Sequence, residues 1–304
     1  MQAAIAESFA EAPRIKEFQN PEGGEVLRVV AASLNPIDRV IAAGRIAFRP
    51  LELPAVVGLD GVAADASGLR YFLSPRTPFG SFAELVPLGE AETVPVPAGL
   101  DPISAAALGV PGIAAWLSVA RAAAVGTGDS VLILGATGAV GRLAVQISRR
   151  LGAGNVVGTA RDSAGLDLVA RLGGTPVQIS AGTDLDHELA ATAGRGFDVV
   201  IDMLWGDPFA TAVRHLAPGA HIVQVGNSAG PQADLNALAL RNKGAVLMGH
   251  SNFLVTPEER MTAYGQVAEL AAQGRLEVAA DPVAFTDFEA VWRGGGPAKP
   301  VFTF

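Results

Sequence analysis

Hydrophobic and polar residues alternate in short runs along the first hundred positions of this chain. The clearest run is EVLRVVAAS (25–33), and four others share its pattern: AAIAE (3–7), AVVGLDGVAA (55–64), SFAELVPL (81–88) and AETVPV (91–96). A period of two with many β-branched residues is typical of half-buried strands. Prolines interrupt the region, as they do at strand edges and in turns. The pattern predicts an antiparallel β-rich unit in which residues 65–80 form a short loop.

The pattern changes after Asp101 and Pro102, which are suited to begin a helix. Continuous apolar runs then alternate with segments of helical period. The predicted strands are SVLILGA (130–136), NVVGTA (155–160), TPVQIS (175–180), FDVVIDML (197–204), AHIVQVG (220–226) and AVLMGH (245–250), with predicted helices at 139–151, 163–173, 184–194 and 208–219. Strands buried on both faces and separated by amphipathic helices indicate a parallel, doubly wound α/β sheet.

The end of the chain returns to the β-rich pattern. A helix is predicted at 257–273, and a last strand, KPVFTF (299–304), rejoins the first region. The length of 304 residues fits two domains. We therefore predict one domain formed by residues 1–101 and 251–304, into which a second domain, residues 102–250, is inserted.

One segment, residues 102–125, is apolar enough to suggest a membrane span. It consists mostly of Ala and Gly, however, and it contains Pro111 and Arg121. A buried helix of a globular protein is therefore the prediction.

Composition narrows the classes of function. The net charge is -8, only 17% of the residues are charged, and the basic residues do not cluster, which argues against a nucleic-acid partner. The absence of cysteine excludes disulfides, thiolate catalysis and metal sites with Cys ligands. The first residues lack the basic head and apolar core of a signal peptide. We expect a cytoplasmic protein that does not associate with membranes.

Three glycines at intervals of three, Gly135, Gly138 and Gly141, lie between the first strand of the parallel series and its helix. In this context the first glycine permits a tight turn, the second lets the backbone approach a pyrophosphate, and the third lets the helix pack on the strand. The complete series of strands and helices that follows is the setting this motif requires. The pattern predicts a dinucleotide site, and a turn without any ligand is the alternative.

The end of the second strand, NVVGTARDS, indicates which dinucleotide. An acidic residue at this point would bind the ribose hydroxyls of NAD. Here the position is Thr159 or Ala160, followed by Arg161, while Asp162 is suited to cap the next helix. A guanidinium group matches a 2′-phosphate, so the cofactor is predicted to be NADPH. Alternatively, Arg161 is only a solvated surface charge.

Six segments resemble, in order, motifs of the zinc-independent, quinone oxidoreductase-like branch of the medium-chain dehydrogenase/reductase superfamily. They are SLNPIDRVIAAG (33–44), PAVVGLDGVA (54–63), GSFAEL (80–85), GATGAVGRLAVQISRRLGA (135–153), VQVGNSAGP (223–231) and AKPVF (298–302). The resemblance implies a Rossmann domain inserted into a β-rich, GroES-like catalytic domain. It also implies that NADPH donates a hydride to a small-molecule substrate, either a quinone or an α,β-unsaturated carbonyl compound.

The resemblance further implies roles for particular residues. Asn35 is expected to contact the nicotinamide ribose or the substrate carbonyl, and Asp38 to order that segment. The alternative for Asn35 is a turn residue before Pro36. The cofactor is expected to bind Thr137, Gly138, Ala139, Val140, Thr159, Arg161, Ser180, Gly226, Asn227, Ser228, His250 and Lys299.

A catalytic zinc site is not expected. The zinc-dependent branch needs a Cys and a Gly-His-Glu triplet, whereas this chain has no cysteine and reads Gly58-Leu59-Asp60. Leucine cannot bind a metal.

Three departures from the family pattern leave the substrate open: the stretch 39–48 has no tyrosine, with Phe48 as its only aromatic residue, Ala114 replaces a family threonine, and the loop at residues 65–80 is short. The missing tyrosines and the lack of an obvious proton donor leave a rival open. The rival is a protein that binds the cofactor without reductase turnover, either a cyclase-type tailoring enzyme of a biosynthetic pathway or a redox-sensing partner. In either case AVLMGH is an apolar edge strand, which predicts a homodimer.

Overall fold

The computed structural model describes residues 1–46, 50–88, 92–180 and 182–304. They divide into two compact units. The first unit comprises Met1–Val110 with Pro257–Phe304, and the second comprises Pro111–Thr256. The second unit is therefore inserted into the first.

The described residues form sixteen strands and nine α-helices. The strands are β1 (Gln2–Ala6), β2 (Arg14–Glu17), β3 (Val26–Ser33), β4 (Ala55–Val56), β5 (Asp60–Asp65), β6 (Gly68–Leu73), β7 (Leu85–Pro87), β8 (Glu92–Pro95), β9 (Ser130–Leu134), β10 (Asn155–Ala160), β11 (Thr175–Gln178), β12 (Phe197–Asp202), β13 (Leu216–Gln224), β14 (Val246–Gly249), β15 (Asp281–Ala284) and β16 (Pro300–Thr303). The helices are α1 (Pro36–Ala42), α2 (Pro102–Trp116), α3 (Ala139–Arg150), α4 (Ser163–Arg171), α5 (Leu185–Ala193), α6 (Gly206–Ala212), α7 (Ala237–Arg241), α8 (Pro257–Ala272) and α9 (Phe288–Trp292).

The first unit is rich in antiparallel sheet. In the described part of the chain one sheet has the order β2-β1-β4, and the other has the order β15-β16-β3-β5-β6-β8 with β7 beside β3. All of these strands pair antiparallel except β15 with β16. Aromatic side chains from β16, α9 and the segment before β7 fill the core, with Phe82, Phe288 and Phe302 fully buried. The last strand thus returns to the first region, as predicted.

Two local predictions in the first unit were wrong, and one helix was missed. AVVGLDGVAA is not one strand, because Gly58 has φ +103 and divides it into β4 and β5. Residues 65–80 are not only a loop, because β6 forms a hairpin with β5 and pairs Gly68 with Asp65. The short helix α1 was not foreseen, although Asn35 before Pro36 is a good helix start.

The second unit contains one parallel sheet, whose order among the described residues is β11-β10-β9-β12-β13-β14. Counted in chain order this is 3-2-1-4-5-6, the order of a dinucleotide-binding fold. The predicted fold class, a parallel Rossmann sheet together with a β-rich unit, is confirmed. The helix predicted at 208–219 was too long, because β13 already begins at Leu216 and pairs that residue with Phe197.

The apolar segment after residue 101 is a helix that changes direction within its length. Gly109 has non-helical backbone angles (φ -33, ψ -107), and Pro111 follows it. The part before this break packs in the first unit, where the Tyr264 hydroxyl donates to the Ala105 carbonyl at 3.1 Å. The boundary between the units therefore lies at residue 111 rather than 102, and the second boundary lies after 256 rather than 250.

Length and composition alone would allow the segment Pro102–Ala122, in which a π-helix at Leu117–Ala122 continues α2, to cross a membrane. However, 72% of its most apolar window is buried within the protein. The segment is a core helix, as predicted.

Candidate functional site

The glycine-rich turn lies between β9 and α3 in the second unit. Gly135 has φ +86, a conformation that favours glycine. A Cβ added at Gly141 would collide with the Gly135 carbonyl and with Ala136. A Cβ added at Gly138 would meet only the Gly135 carbonyl oxygen, at 3.6 Å, which is an ordinary contact. Gly135 and Gly141 are therefore needed by the turn itself, whereas Gly138 faces open space.

Helix α3 begins at this turn without a side chain that caps it. The first N–H groups of a helix have no partner inside the helix, and the helix dipole makes this end positive. Ala139 and Val140 contribute such N–H groups, and the Thr137 carbonyl accepts a hydrogen bond from Arg142 Nε at 2.8 Å. The arrangement suits a bound anion.

Two of the predicted cofactor residues lie at the end of β10, and they differ in exposure. Thr159 is buried, and its hydroxyl accepts the Gly135 N–H at 2.9 Å, so this side chain supports the glycine turn from inside. Arg161 is exposed. As predicted, Asp162 caps α4, since it accepts the Gly165 N–H at 2.8 Å. Ser180 is also exposed, with its hydroxyl 2.9 Å from that of Thr183.

The loop after β13 contains three further predicted residues. Gly226 is half-buried, while Asn227 and Ser228 are exposed. Ser228 donates both its N–H and its hydroxyl to the Met203 carbonyl, at 3.2 and 3.1 Å. The loop therefore rests on the segment that follows β12.

His250 lies directly after β14 and is half-buried. Its Nε2 is 3.0 Å from the side-chain oxygen of Asn252. Burial lowers the pKa of His250 below its usual value, so that the ring is neutral at pH 7.

A buried polar cluster occupies the first unit. Asn35 is 3% exposed, and its amide nitrogen donates to the Ser33 carbonyl (3.2 Å) and to Asp60 Oδ1 (3.0 Å). Its amide oxygen accepts from Lys299 Nζ at 2.7 Å and from the Ser33 hydroxyl at 3.3 Å. Protein groups thus occupy both donors and both acceptor positions of this side chain.

Asp60 connects the cluster to the break in α2. Its Oδ2 accepts the Tyr71 hydroxyl at 3.1 Å and the Val110 N–H at 3.0 Å. Any side chain at Gly109 would collide with the same oxygen. The Tyr71 ring stacks on Tyr264, with ring centroids 3.8 Å apart.

Asp38 lies at the start of α1. Its Oδ2 accepts the Asn35 N–H at 2.7 Å, whereas its buried Oδ1 has no hydrogen-bond partner among the described residues. A cavity of about 10 Å³ adjoins this side chain, close to the room that one water molecule needs. The contact of this carboxylate with the start of α1 is therefore its bond to the Asn35 N–H.

The two carboxylates and the ammonium of this cluster perturb one another. Burial, reinforced by the charge of Asp60, raises the pKa of Asp38 to about 7. Burial also raises the pKa of Asp60 to about 6, against the opposing charge of Lys299. Burial lowers the pKa of Lys299 to about 8. Near neutral pH the cluster therefore reduces its net negative charge by keeping a proton on Asp38 in part of the molecules.

Leu59 is the residue of the Gly58-Leu59-Asp60 triplet at which a zinc ligand would be needed, and it is 1% exposed. In the part of the chain that the structure describes, no three His, Cys, Asp or Glu side chains are grouped so that they could hold a metal ion. Ala114 is buried in α2, and Phe48 lies outside the described residues.

Asp60 and Tyr71 were not identified as functional residues from the sequence, and Lys299 was predicted to bind the cofactor. In the structure Lys299 is 6% exposed and belongs to the buried cluster. One signal was available, because a charged residue inside an apolar strand must find a partner when it is buried. Lys299, before the apolar strand β16, and Asp60, at the start of β5, are such residues.

Comparison with known proteins gives three similarities that agree with one another. The family model described as zinc-binding dehydrogenase matches residues 139–286. Quinone oxidoreductase of Sus scrofa is 32% identical over 251 residues, which cover 79% of this chain and 75% of that protein. The quinone oxidoreductase of Thermus thermophilus, solved also in complex with NADPH, is 27% identical, with a TM-score of 0.82 and coverage of 100% of both chains.

A fourth similarity concerns a much larger protein. One of the subunits of the phenolphthiocerol/phthiocerol polyketide synthase of Mycobacterium tuberculosis is 31% identical over 276 residues, which cover 85% of this chain. The chain spans only 12% of the length of that relative.

Proposed function

Because this chain belongs to the quinone oxidoreductase-like branch of the medium-chain dehydrogenase/reductase family, we propose that it is an NADPH-dependent oxidoreductase. Its substrate is a small molecule, either a quinone or an α,β-unsaturated carbonyl compound. The observation that carries the proposal is the open space at Gly138 beside the uncapped start of α3. An anion as large as a pyrophosphate needs such a place.

The second unit supplies the residues that hold NADPH. The backbone of Thr137–Val140 binds the pyrophosphate, and the exposed guanidinium of Arg161 binds the 2′-phosphate. Gly226, Asn227, Ser228 and His250 line the nicotinamide, and Ser180 lies near the adenosine. When bound, NADPH supplies the hydride, and the protein orients it and excludes water.

In the first unit, the geometry supports a positioning role for Asn35 and Lys299 rather than direct contact with the cofactor or substrate. Both side chains are buried, and the polar atoms of Asn35 are already paired. Asp38 holds the Asn35 N–H and thereby the start of α1. No zinc takes part in the proposed reaction, because Leu59 stands at the ligand position and the chain has no cysteine.

The test is to follow the absorbance of NADPH with a panel of quinones and α,β-unsaturated ketones. Because one relative belongs to a polyketide synthase, the panel also includes α,β-unsaturated acyl thioesters. We expect turnover with at least one class and a preference for NADPH over NADH. Tight binding of NADPH without turnover on any substrate would favour the rival, a tailoring or redox-sensing protein. Equal affinity for NADH and NADPH would overturn the cofactor assignment.

We also propose that the protein is a homodimer, joined through β14. Val246, Leu247 and Met248 on this edge strand are all exposed. A bare apolar edge tends to pair with a second strand. Leu247→Lys should convert the dimer to a monomer in light scattering, and a parent protein that is already monomeric at micromolar concentration would contradict the proposal.

A further inference from the structure

The segment after β12 has an unusual backbone. Trp205 has φ +58 and ψ -161, and Gly206 has φ +63. The angles of Trp205 lie in a region that is populated almost only by glycine, and such residues persist where the surroundings force them. Strain of this kind clusters at functional sites and therefore requires an explanation.

Asp202 holds this strained turn. The side chain is fully buried at the carboxyl end of β12. Its Oδ1 accepts the N–H of Leu204 at 2.8 Å and the N–H of Trp205 at 3.0 Å, and its Oδ2 lies 3.1 Å from the same Trp205 nitrogen. Hydrogen bonds to a charged acceptor are stronger than neutral ones, and more so in a buried place.

The strained turn also supports the loop after β13. The Asp202 carbonyl accepts the N–H groups of Val225 (2.7 Å) and Gly226 (3.2 Å), and the Leu204 carbonyl accepts that of Ala229 at 2.8 Å. The Ser228 bonds to Met203 lie between them. Hydrogen bonds from Val225, Gly226, Ser228 and Ala229 thus join this loop to residues 202–204.

The same turn reaches the glycine loop. A Cβ built at Gly135 would lie 3.1 Å from Leu204 Cδ2. The Met203 N–H donates to the Leu134 carbonyl at 3.2 Å. The strained turn therefore lies between the glycine loop on one side and Gly226–Ser228 on the other.

We propose that Asp202 is a positioning residue for the cofactor, which fixes the Met203–Trp205 turn and through it the Gly226–Ser228 loop. This inference rests on the proposed binding of NADPH to the second unit. Asp202 itself is buried, so in this proposal it acts on the cofactor only through the turn. If its role were only structural, its loss would lower the stability of the protein without a specific effect on affinity.

The chain offers a matched control on the same strand. Asp198 lies near the amino end of β12, and its Oδ2 accepts the Ser130 N–H at 2.9 Å. Ligands bind at the carboxyl ends of the strands in folds of this kind, so the opposite end is remote from the site. Asp198→Ala therefore removes a carboxylate that accepts a backbone N–H without touching the proposed binding loops.

The experiment compares Asp202→Ala, Asp202→Asn and Asp198→Ala by calorimetric titration with NADPH and by urea unfolding. Asp202→Ala should raise the Kd about tenfold, and Asp202→Asn should stay within about threefold of the parent because its amide oxygen still accepts both N–H groups. Asp198→Ala should lose stability but keep the Kd of the parent. A Kd for Asp202→Ala equal to that of the parent, or a change no larger than that of Asp198→Ala, would overturn the inference and leave the proposed function standing.

A second variant keeps the test decisive if Asp202→Ala folds poorly. Glycine at position 205 adopts the required backbone angles without strain, so in a Trp205→Gly background the turn needs the carboxylate less. There the effect of Asp202→Ala on the Kd should shrink from about tenfold to about threefold or less. An undiminished effect would contradict the positioning role. A parent protein that does not bind NADPH at all would instead overturn the proposed function, and the inference with it.

Discussion

The ammonium group of Lys299 lies 2.7 Å from the side-chain oxygen of Asn35, although 264 positions separate the two residues along the chain. Lys299 also donates to the Ser33 hydroxyl at 2.7 Å. Its charge opposes those of Asp38 and Asp60 in a buried place. The positive charge of Lys299 therefore offsets part of the cost of burying the two carboxylates.

Lys299→Met should lower the free energy of unfolding by about 1–3 kcal/mol, because it leaves the buried Asn35 oxygen and the Ser33 hydroxyl without the donor that Lys299 supplies. Urea unfolding measures this change. Lys16→Met is the control, since Lys16 pairs with Glu7 on the surface and such pairs contribute little. Equal effects of the two substitutions would show that the buried cluster does not depend on its cation.

The stability of the first unit should depend on pH through Asp38. Its pKa is about 7 in the folded protein, compared with an ordinary value of 3.8, so between these values the folded state binds more protons than the unfolded chain. Stability therefore falls as pH rises through this window, by at most about 1.4 kcal/mol per pH unit for one proton, and levels off above the folded pKa.

Asp38→Asn tests this dependence, because asparagine imitates the protonated carboxyl and cannot ionise. Unfolding free energies measured from about pH 5 to about pH 8 should fall less steeply in the variant than in the parent. Asp60 and Asp202, each with a pKa that burial raises to about 6, give the variant a remaining slope at the lower end. Parallel curves for the two proteins would contradict the assignment of the proton to Asp38.

Gly138→Val and Gly141→Ala should have opposite effects. Gly138 faces open space with φ -73, so valine fits the free protein but occupies the place of the pyrophosphate. The Kd of the Gly138→Val protein for NADPH should rise by about two orders of magnitude or more, while its melting temperature stays nearly unchanged. Gly141→Ala should instead lower the melting temperature, because its Cβ meets the backbone of the turn. A Gly138→Val protein that melts early but binds NADPH normally would refute the phosphate-loop interpretation.

Arg161→Ala should weaken the binding of NADPH and leave the binding of NADH nearly unchanged. The loss of a charged hydrogen bond predicts a rise in Kd of about tenfold to a hundredfold. Arg195→Ala is the matched control, since Arg195 is 79% exposed in the same unit. If the affinities for NADPH and NADH fell equally, Arg161 would not be the 2′-phosphate ligand.

The parallel sheet could be predicted closely from the sequence because its signals are local. Continuous apolar runs mark β9, β10 and β12, and the glycine spacing marks the turn before α3. The hairpin of β5 and β6 was missed although Asp65, Ser67 and Gly68 form a typical turn, because prolines nearby suggested a loop. Local patterns thus identify elements better than they identify their ends.

The polar cluster could not be predicted in the same way. Whether Asp60, Asn35 and Lys299 meet depends on the pairing of β16 with β3, which brings together parts of the chain that are far apart in sequence. The strain at Trp205 is equally hidden, since tryptophan gives no sign of a glycine-like backbone. Such features follow from the tertiary fold and not from any short segment.

The insertion of the second unit has a consequence for synthesis on the ribosome. Residues 111–256 are complete before translation reaches β16, so the parallel sheet has all its strands while β3, which already has β5 and β7 as partners, still lacks β16. At a translation rate of about 5–20 residues per second, on the order of 10–50 s passes between the synthesis of Asp38 and Asp60 and that of Lys299. The sheet of the first unit therefore stays incomplete until after the second unit has been made, and during that interval the edge of β3 that later pairs with β16 has no partner.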